Sequence, residues 1–182
     1  MIQGFLIVAL QGETKSRYTF CQRVDIGVSI VYNDENNKTT NKGGCAMIQV
    51  IHGKKGSGKT KRLIDMTNAA FSDQHGDVIF IDDDNRYMFD LRHEVRFVNA
   101  GDYGIAGPEM FYGFLCGMLS QNFDVSKVFV DAFLKLVNVQ PGETEWFFDH
   151  LDQLGEKHNI LFVLSVSCDD ADAPDHIKKY FI

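Results

Sequence analysis

The segment Gly53-Lys54-Lys55-Gly56-Ser57-Gly58-Lys59-Thr60 constrains the fold more than any other eight residues of the chain. Its glycines supply backbone conformations that other residues reach only at a cost, so the chain can turn sharply there. Before it, Ile48–His52 is a short apolar run of strand type. After it, Leu63, Ile64, Thr67, Ala70 and Phe71 recur at helical spacing within Lys59–Phe71. A strand, a glycine turn and an amphipathic helix in that order set a helix N-terminus beside the turn. The helix brings unpaired N–H groups and partial positive charge, the features that attract an anion.

The remaining apolar runs extend the same pattern. Val78–Ile81 reads as a second strand, closed by Asp82, Asp83 and Asp84, and an edge strand is expected at Val95–Val98. Asn99–Gly107, with three glycines, reads as a loop. Pro108 then opens a helix in its favoured first-turn position, running to about Asn122. Gly113 and Gly117 are expected to let that helix lie close against a neighbour. Val128–Val130 and Ile160–Val166 are further core strands. Between them Thr144 is expected to cap a helix reaching about Lys157, and Asp175–Tyr180 makes a short final helix. Strands that are apolar throughout and alternate with helices predict an α/β three-layer sandwich with a mainly parallel sheet.

The eight-residue segment fits G-x-x-x-x-G-K-[ST] in full, the P-loop or Walker A pattern of nucleotide-binding proteins. Successive backbone N–H groups from Gly53 to Thr60 would face phosphate oxygens. Lys59 would bridge the β- and γ-phosphates, and the Thr60 hydroxyl would ligate magnesium. Lys54 and Lys55 either add charge to this cradle or simply face solvent. A second metal-side carboxylate is expected where a core strand ends next to the loop. Asp131, after Val128-Phe129-Val130, is preferred as this Walker B residue. Asp82, after Val78-Ile79-Phe80-Ile81, competes on local pattern, but the strand directly after the first helix commonly lies further out.

On these motifs residues 47–182 resemble a P-loop NTPase of the broad class that includes RecA-like ATPases. That resemblance implies that the Walker B strand and a later strand flank the P-loop strand. It also implies a polar sensor residue at the end of the later strand, for which Ser165 and Ser167 are the candidates. More closely, the chain is similar to small bacterial ATP-binding proteins, some labelled by analogy with twitching-motility ATPases. The second domain and the histidine-rich motif of those motors have no counterpart here.

One position departs from the pattern. Hydrolysing members of the RecA-like class usually carry a glutamate directly after the Walker B aspartate, where this chain has Ala132. Water activation would then fall to Asp82, Asp83, Asp84 or Glu109, and slow intrinsic turnover is expected. The first functional reading is a slow, magnesium-dependent ATPase acting as a nucleotide-controlled switch on a partner. The alternative is a small-molecule kinase whose Asp82–Asp84 cluster holds the acceptor hydroxyl, with Arg86, Arg92 or Arg96 supplying charge to the transferring group. A third is a nucleotide-binding module without turnover. The absence of an N-K-x-D guanine motif tilts the ligand towards ATP rather than GTP.

Charge and cysteine usage narrow the setting. The net charge of −7 argues against a broad grip on nucleic acid or an anionic membrane. Cys21, Cys45, Cys116 and Cys168 show no paired spacing and read as free thiols of a reducing compartment. The six histidines show no ligand-like pairing. The longest early apolar run, Phe5–Leu10, is too short to span a bilayer, so a cytoplasmic location is expected. The aromatic residues Phe111, Tyr112, Phe114, Trp146, Phe147 and Phe148 are expected to fill the core or an interface.

Residues 1–46 differ in character, with a polar stretch at Asn33–Gly44. Lys42-Gly43-Gly44-Cys45-Ala46-Met47 back-translates as AAA-GGA-GGT-TGC-GCA-ATG, a bacterial ribosome-binding sequence ahead of a start codon. Residues 1–46 therefore read as translated leader or disordered extension. The competing reading is a β-hairpin from Phe5–Leu10 and Val24–Tyr32. The native product is expected to begin at Met47, and an intact mass corresponding to Met1 would refute the leader reading.

Overall fold

The computed structural model describes residues 46–70, 76–169 and 171–182. The leader and hairpin readings of the first 45 residues lie outside the described residues, as do Phe71 and His75. Five strands form one parallel sheet: β1 (Ile48–His52), β2 (Asp77–Asp82), β3 (Arg96–Asn99), β4 (Val125–Val130) and β5 (Leu161–Val166), in the order β1-β5-β4-β2-β3. The helices are α1 (Lys59–Ala70), α2 (Pro108–Gln121), α3 (Phe133–Val137), α4 (Glu145–His158) and α5 (Asp175–Lys178). No helix among the described residues is long and apolar enough to cross a membrane.

Strand alternation divides the core into two layers. Ile51, Phe80, Phe129 and Val163 point to the face covered by α1, where Leu63 and Ile64 pack on them. Their neighbours Val50, Ile79, Ile81, Val128, Val130, Phe162 and Leu164 point the other way, towards α2, α3 and α4. Both faces of the sheet are thus covered, which is why its strands are apolar at nearly every position. Phe111, Phe133, Phe147 and Phe148 join the second layer by ring contacts, Phe133 and Phe147 with centroids 4.7 Å apart. Burying each such ring contributes about 1.5–3 kcal/mol.

Several expectations need correction. The resemblance implied that β1 lies between the Walker B strand and a later strand. Instead β5 separates β1 from β4, and β1 pairs with β5 alone among the named strands. The outer edge of β1 meets the end of the chain, through Val50 N–H to the Tyr180 carbonyl (2.8 Å) and Ile182 N–H to the Val50 carbonyl (3.1 Å). Gly113 and Gly117 do not admit a close neighbour: a methyl group at either would meet nothing within 4 Å. They lie on the exposed side of α2, whose buried side is Phe111, Leu115, Met118 and Leu119.

Thr144 precedes α4, but its hydroxyl donates to the Pro141 carbonyl (2.7 Å) rather than to a first-turn N–H. β4 starts three residues before the expected Val128, and α3 was not foreseen. Its five residues are shorter than a periodicity argument can detect. Exposed helical glycines without close neighbours can be replaced to advantage. Gly113→Ala is expected to raise stability by about 0.5–1 kcal/mol, read from urea denaturation midpoints. Phe133→Ala, which empties a packed site, should lower it by about 3–5 kcal/mol.

Candidate functional site

The site is a row of polar residues where the α1-facing core stripe runs out. Phe80, Phe129 and Val163 belong to that stripe, and two residues further along each strand stand Asp82, Asp131 and Ser165. The register carries them to one level, because Ile81 pairs with Val130, Val130 with Leu164, and Ser165 with Ile51. Alternation of side chains then sends all three to the α1 face. They are nearly inaccessible, at 1%, 4% and 2% exposure. β2 lies one strand further from β1 than β4 does, so Asp131 is the closer carboxylate to the loop by strand order.

The glycine-rich loop closes the other side. Gly56 (φ 84°) and Gly58 (φ 85°) have left-handed backbone, and a methyl group on either would meet nothing within 4 Å, so their cost lies in conformation rather than crowding. Gly53 differs, since a Cβ there would stand 2.8 Å from Ser57 Oγ. Lys59 Nζ folds back over the loop and donates to the carbonyls of Gly53 and Lys54, each at 2.8 Å. Burial lowers its pKa, against the raising effect of the Asp131 carboxylate. Lys54 pairs with Asp169 (3.3 Å), tying the loop to the segment after β5, while Lys55 is exposed.

Thr60, in the first turn of α1, joins loop to sheet: its hydroxyl donates to Asp131 Oδ2 at 2.7 Å. Asp131 Oδ1 accepts from the Ser165 hydroxyl, and Ser165 Oγ accepts from Ala132 N–H (2.8 Å). Of the two serines considered, Ser165 therefore contacts Asp131, whereas Ser167 lies on the cavity wall beyond it. Ala132 holds a left-handed conformation, φ 47° and ψ 40°, costly for a residue with a Cβ. This bend ends β4 and starts α3, from which Lys135 forms an ion pair with Asp83.

Asp82 is the least satisfied of these groups. Its Oδ1 accepts from Asp83 N–H (2.7 Å), but its buried Oδ2 meets no donor among the described residues and has the Asp83 carboxyl beside it. Burial pushes its pKa up to about 7, with the nearby Asp131 charge acting in the same direction and the Asp83 N–H opposing. Asp84 points elsewhere, held below the usual carboxylate range by the backbone N–H and guanidinium of Arg86.

A cavity of about 1010 Å³ connects these elements, with Gly56, Gly58, Lys59 and Thr60 at one end and Asp82, Asp83, Asp131 and Ser165 along the strand ends. Arg86 lines it, but Arg92, Arg96 and Glu109 do not. Arg96 opens β3, at the opposite end of the sheet, and Glu109 is exposed at the start of α2. Of the arginines considered, Arg86 is the one on the cavity wall, and strand direction and helix placement, neither visible in the local sequence, set Arg96 and Glu109 away from it. The row itself was also missed as a unit, although the polar residues two steps beyond Phe80, Phe129 and Val163 were a usable signal. Among the described residues, no group of three His, Cys, Asp or Glu side chains is arranged to hold a metal ion.

Neither a scan of protein-family models nor a comparison with curated proteins finds a match to this chain.

The Asp82 environment has a measurable consequence. A carboxyl whose folded pKa of about 7 exceeds the ordinary 3.8 retains its proton in the folded state after the unfolded chain has lost it. Stability must therefore fall as pH rises through that window and level off above it. Asp82→Asn removes the penalty. The variant is expected to match the parent near pH 4 and to exceed it in urea midpoint at pH 8. A midpoint difference that does not change with pH would show that Asp82 ionises normally.

Proposed function

We propose that the chain binds a nucleoside triphosphate, ATP with magnesium, in a P-loop formed by Gly53–Thr60. The observation that carries this reading is the Thr60–Asp131 hydrogen bond at 2.7 Å. It joins the hydroxyl that ends a G-x-x-x-x-G-K-T segment to a carboxylate at a core-strand end, two residue types expected on the metal side of such a site. The fit to magnesium is chemical. Hydroxyl and carboxylate oxygens are hard donors, and magnesium commonly takes one or two protein groups with the rest from phosphates and water. A pair of protein donors is therefore adequate without a three-residue metal cluster.

In this reading Gly56, Ser57, Gly58 and the first-turn N–H groups of α1 bind the phosphates. Lys59 exchanges its hold on the Gly53 and Lys54 carbonyls for phosphate oxygens. Thr60 and Asp131 hold the magnesium, which when bound neutralises charge on the phosphates. Ser165 keeps Asp131 in position. P-loop NTPase membership belongs to this proposal, with the sensor position at the end of β5 assigned to Ser165.

Hydrolysis is slow in this reading, because Ala132 stands where a water-activating glutamate would be expected. The nucleotide state then acts chiefly as a switch on a partner. Asp82 favours a second reading, transfer to a bound acceptor. A carboxyl on the cavity wall with a pKa near 7 is suited to accepting a proton from a hydroxyl at neutral pH.

Both readings require the cradle. Incubated with ATP and magnesium, the protein should form ADP at well below the typical enzyme turnover of about 10 s⁻¹. Lys59→Ala and Asp131→Ala should each lower kcat/KM for ATP by about 100-fold or more. ADP formation that persists in both variants would refute the assignment, as would failure of the parent protein to bind ATP.

A further inference from the structure

The outward face of α2 serves neither the core nor the phosphate-side cavity. Gly113 and Gly117 form a bare strip along it, where a methyl group at either would meet nothing within 4 Å. Aromatic side chains stand on both sides of the strip. On the β3 side the Tyr103 ring, 60% exposed, contacts Phe114 with centroids 5.1 Å apart. On the α4 side Tyr112 meets Trp146 (5.5 Å), which is 41% exposed and stacks on His150 (4.0 Å). Met110, near the start of the helix, is also exposed. No charged residue occurs from Met110 to Phe123, although 24% of the chain is charged. A helix face in contact with solvent usually carries charge, whereas an uncharged face between exposed rings marks a surface that another molecule covers.

The charges bordering this face are sorted by end. Asp102 and Glu109 stand where α2 begins, Arg96 and Lys157 where it stops. Asp102 and Arg96 line a groove of about 500 Å³ between β3 and α2, with Arg96 at the first residue of β3 and Asp102 beyond its last. α2 and α4 each lead from the end of one parallel strand to the start of another, so they run in the same direction. Lys157, about two turns beyond His150 on the same edge of α4, is therefore level with the end of α2. None of these four has an ion pair among the described residues. Asp124, the next charge in the chain after Glu109, lies in the turn into β4, where its carbonyl accepts from Asp77 N–H (2.8 Å).

We propose that the outward face of α2 is the contact between two copies of this chain, packed as an antiparallel pair about a two-fold axis. The axis passes between Gly113 and Gly117, which straddle the middle of α2, so Gly113 of each copy lies against the partner's Gly117. Without side chains at the crossing, the two helix axes approach closely. The antiparallel arrangement turns the acidic end of one copy onto the basic end of the other. On the β3 side Asp102 faces the partner's Arg96, and on the α4 side Glu109 faces the partner's Lys157. A parallel pair would instead set Asp102 against the partner's Glu109 and Arg96 against the partner's Lys157, so charge selects the direction. This self-complementary pattern is what a two-fold contact requires, and it is why the occupant is a second copy. α2 is about 21 Å long and, with a wall on each side, the strip is roughly 20 Å across. A pair of copies then buries roughly 1,000 Å² in total, the lower limit for a specific interface, so the dimer is a weak one.

Sedimentation velocity of the full chain, without nucleotide, tests this over about 1–300 μM at low salt. Monomer should pass to dimer with a Kd on the order of 10–100 μM. Raising the salt to about 0.5 M should weaken the association several-fold. Gly113→Glu/Gly117→Glu, which sets like charges across the crossing, should weaken it about tenfold or more. The urea midpoint of that variant, read at about 1 μM where the chain is monomeric, should stay at or above the parent's, because both positions are open and glycine is a poor helix former. Asp102→Lys and Arg96→Asp should each weaken dimerisation about fivefold, and the two combined should restore it to within about twofold of the parent. A chain that stays monomeric over the whole range overturns the assignment, as does a dimer that the glycine variant leaves intact. Single charge variants that weaken the dimer without restoration in the double variant overturn the antiparallel pairing.

Discussion

The hydrogen bond from Thr60 to Asp131 joins the glycine-rich loop to a carboxylate two strands away. Loop and carboxylate belong to strands that are not neighbours, since β5 lies between β1 and β4. The contact forms because α1 crosses above the sheet and its first turn overhangs the ends of the strands beside β1. Its inward residues Leu63 and Ile64 pack on Ile51, Phe129 and Val163, drawn from three strands. That apolar seating sets the helix where its first hydroxyl meets Asp131. The polar clasp is therefore a consequence of core packing, and anything that shifts α1 on the sheet would separate the loop from the carboxylates.

The same row explains why the strand ends hold buried carboxylates at all. A parallel sheet covered on both faces has no solvated side to which Asp82, Asp131 and Ser165 can turn. Asp131 is compensated by two hydroxyl donors. Asp82 accepts at one oxygen only, and burial, with the neighbouring Asp131 and Asp83 carboxyls, raises its pKa.

Ala132 links this row to the other layer. Its left-handed backbone halts β4 immediately after Asp131, presents its N–H to Ser165 and directs the chain into α3. α3 then supplies Lys135 to Asp83. A position noticed in the sequence for the side chain it lacks thus has a backbone role. Accommodating a left-handed residue with a Cβ costs on the order of 1–2 kcal/mol, offset here by the surrounding hydrogen bonds and by the burial of Phe133.

Much of this was legible because it is local. The glycine turn, the amphipathic face of α1, the apolar strands and the proline opening α2 each depend on residues close in the chain, and together they determined an α/β fold with a parallel sheet. The carboxylates at strand ends could be named for the same reason. Their grouping could not, because register and strand order arise from pairings between residues tens of positions apart. Only the tertiary structure decided that β5 separates β1 from β4, that Ser165 rather than Ser167 meets Asp131, and that Arg96 and Glu109 stand away from the cavity. Gly113 and Gly117 carry the same lesson, since their spacing is local but the presence of a neighbour is not. Sequence specifies which way a residue faces along its own element, and packing decides what it faces.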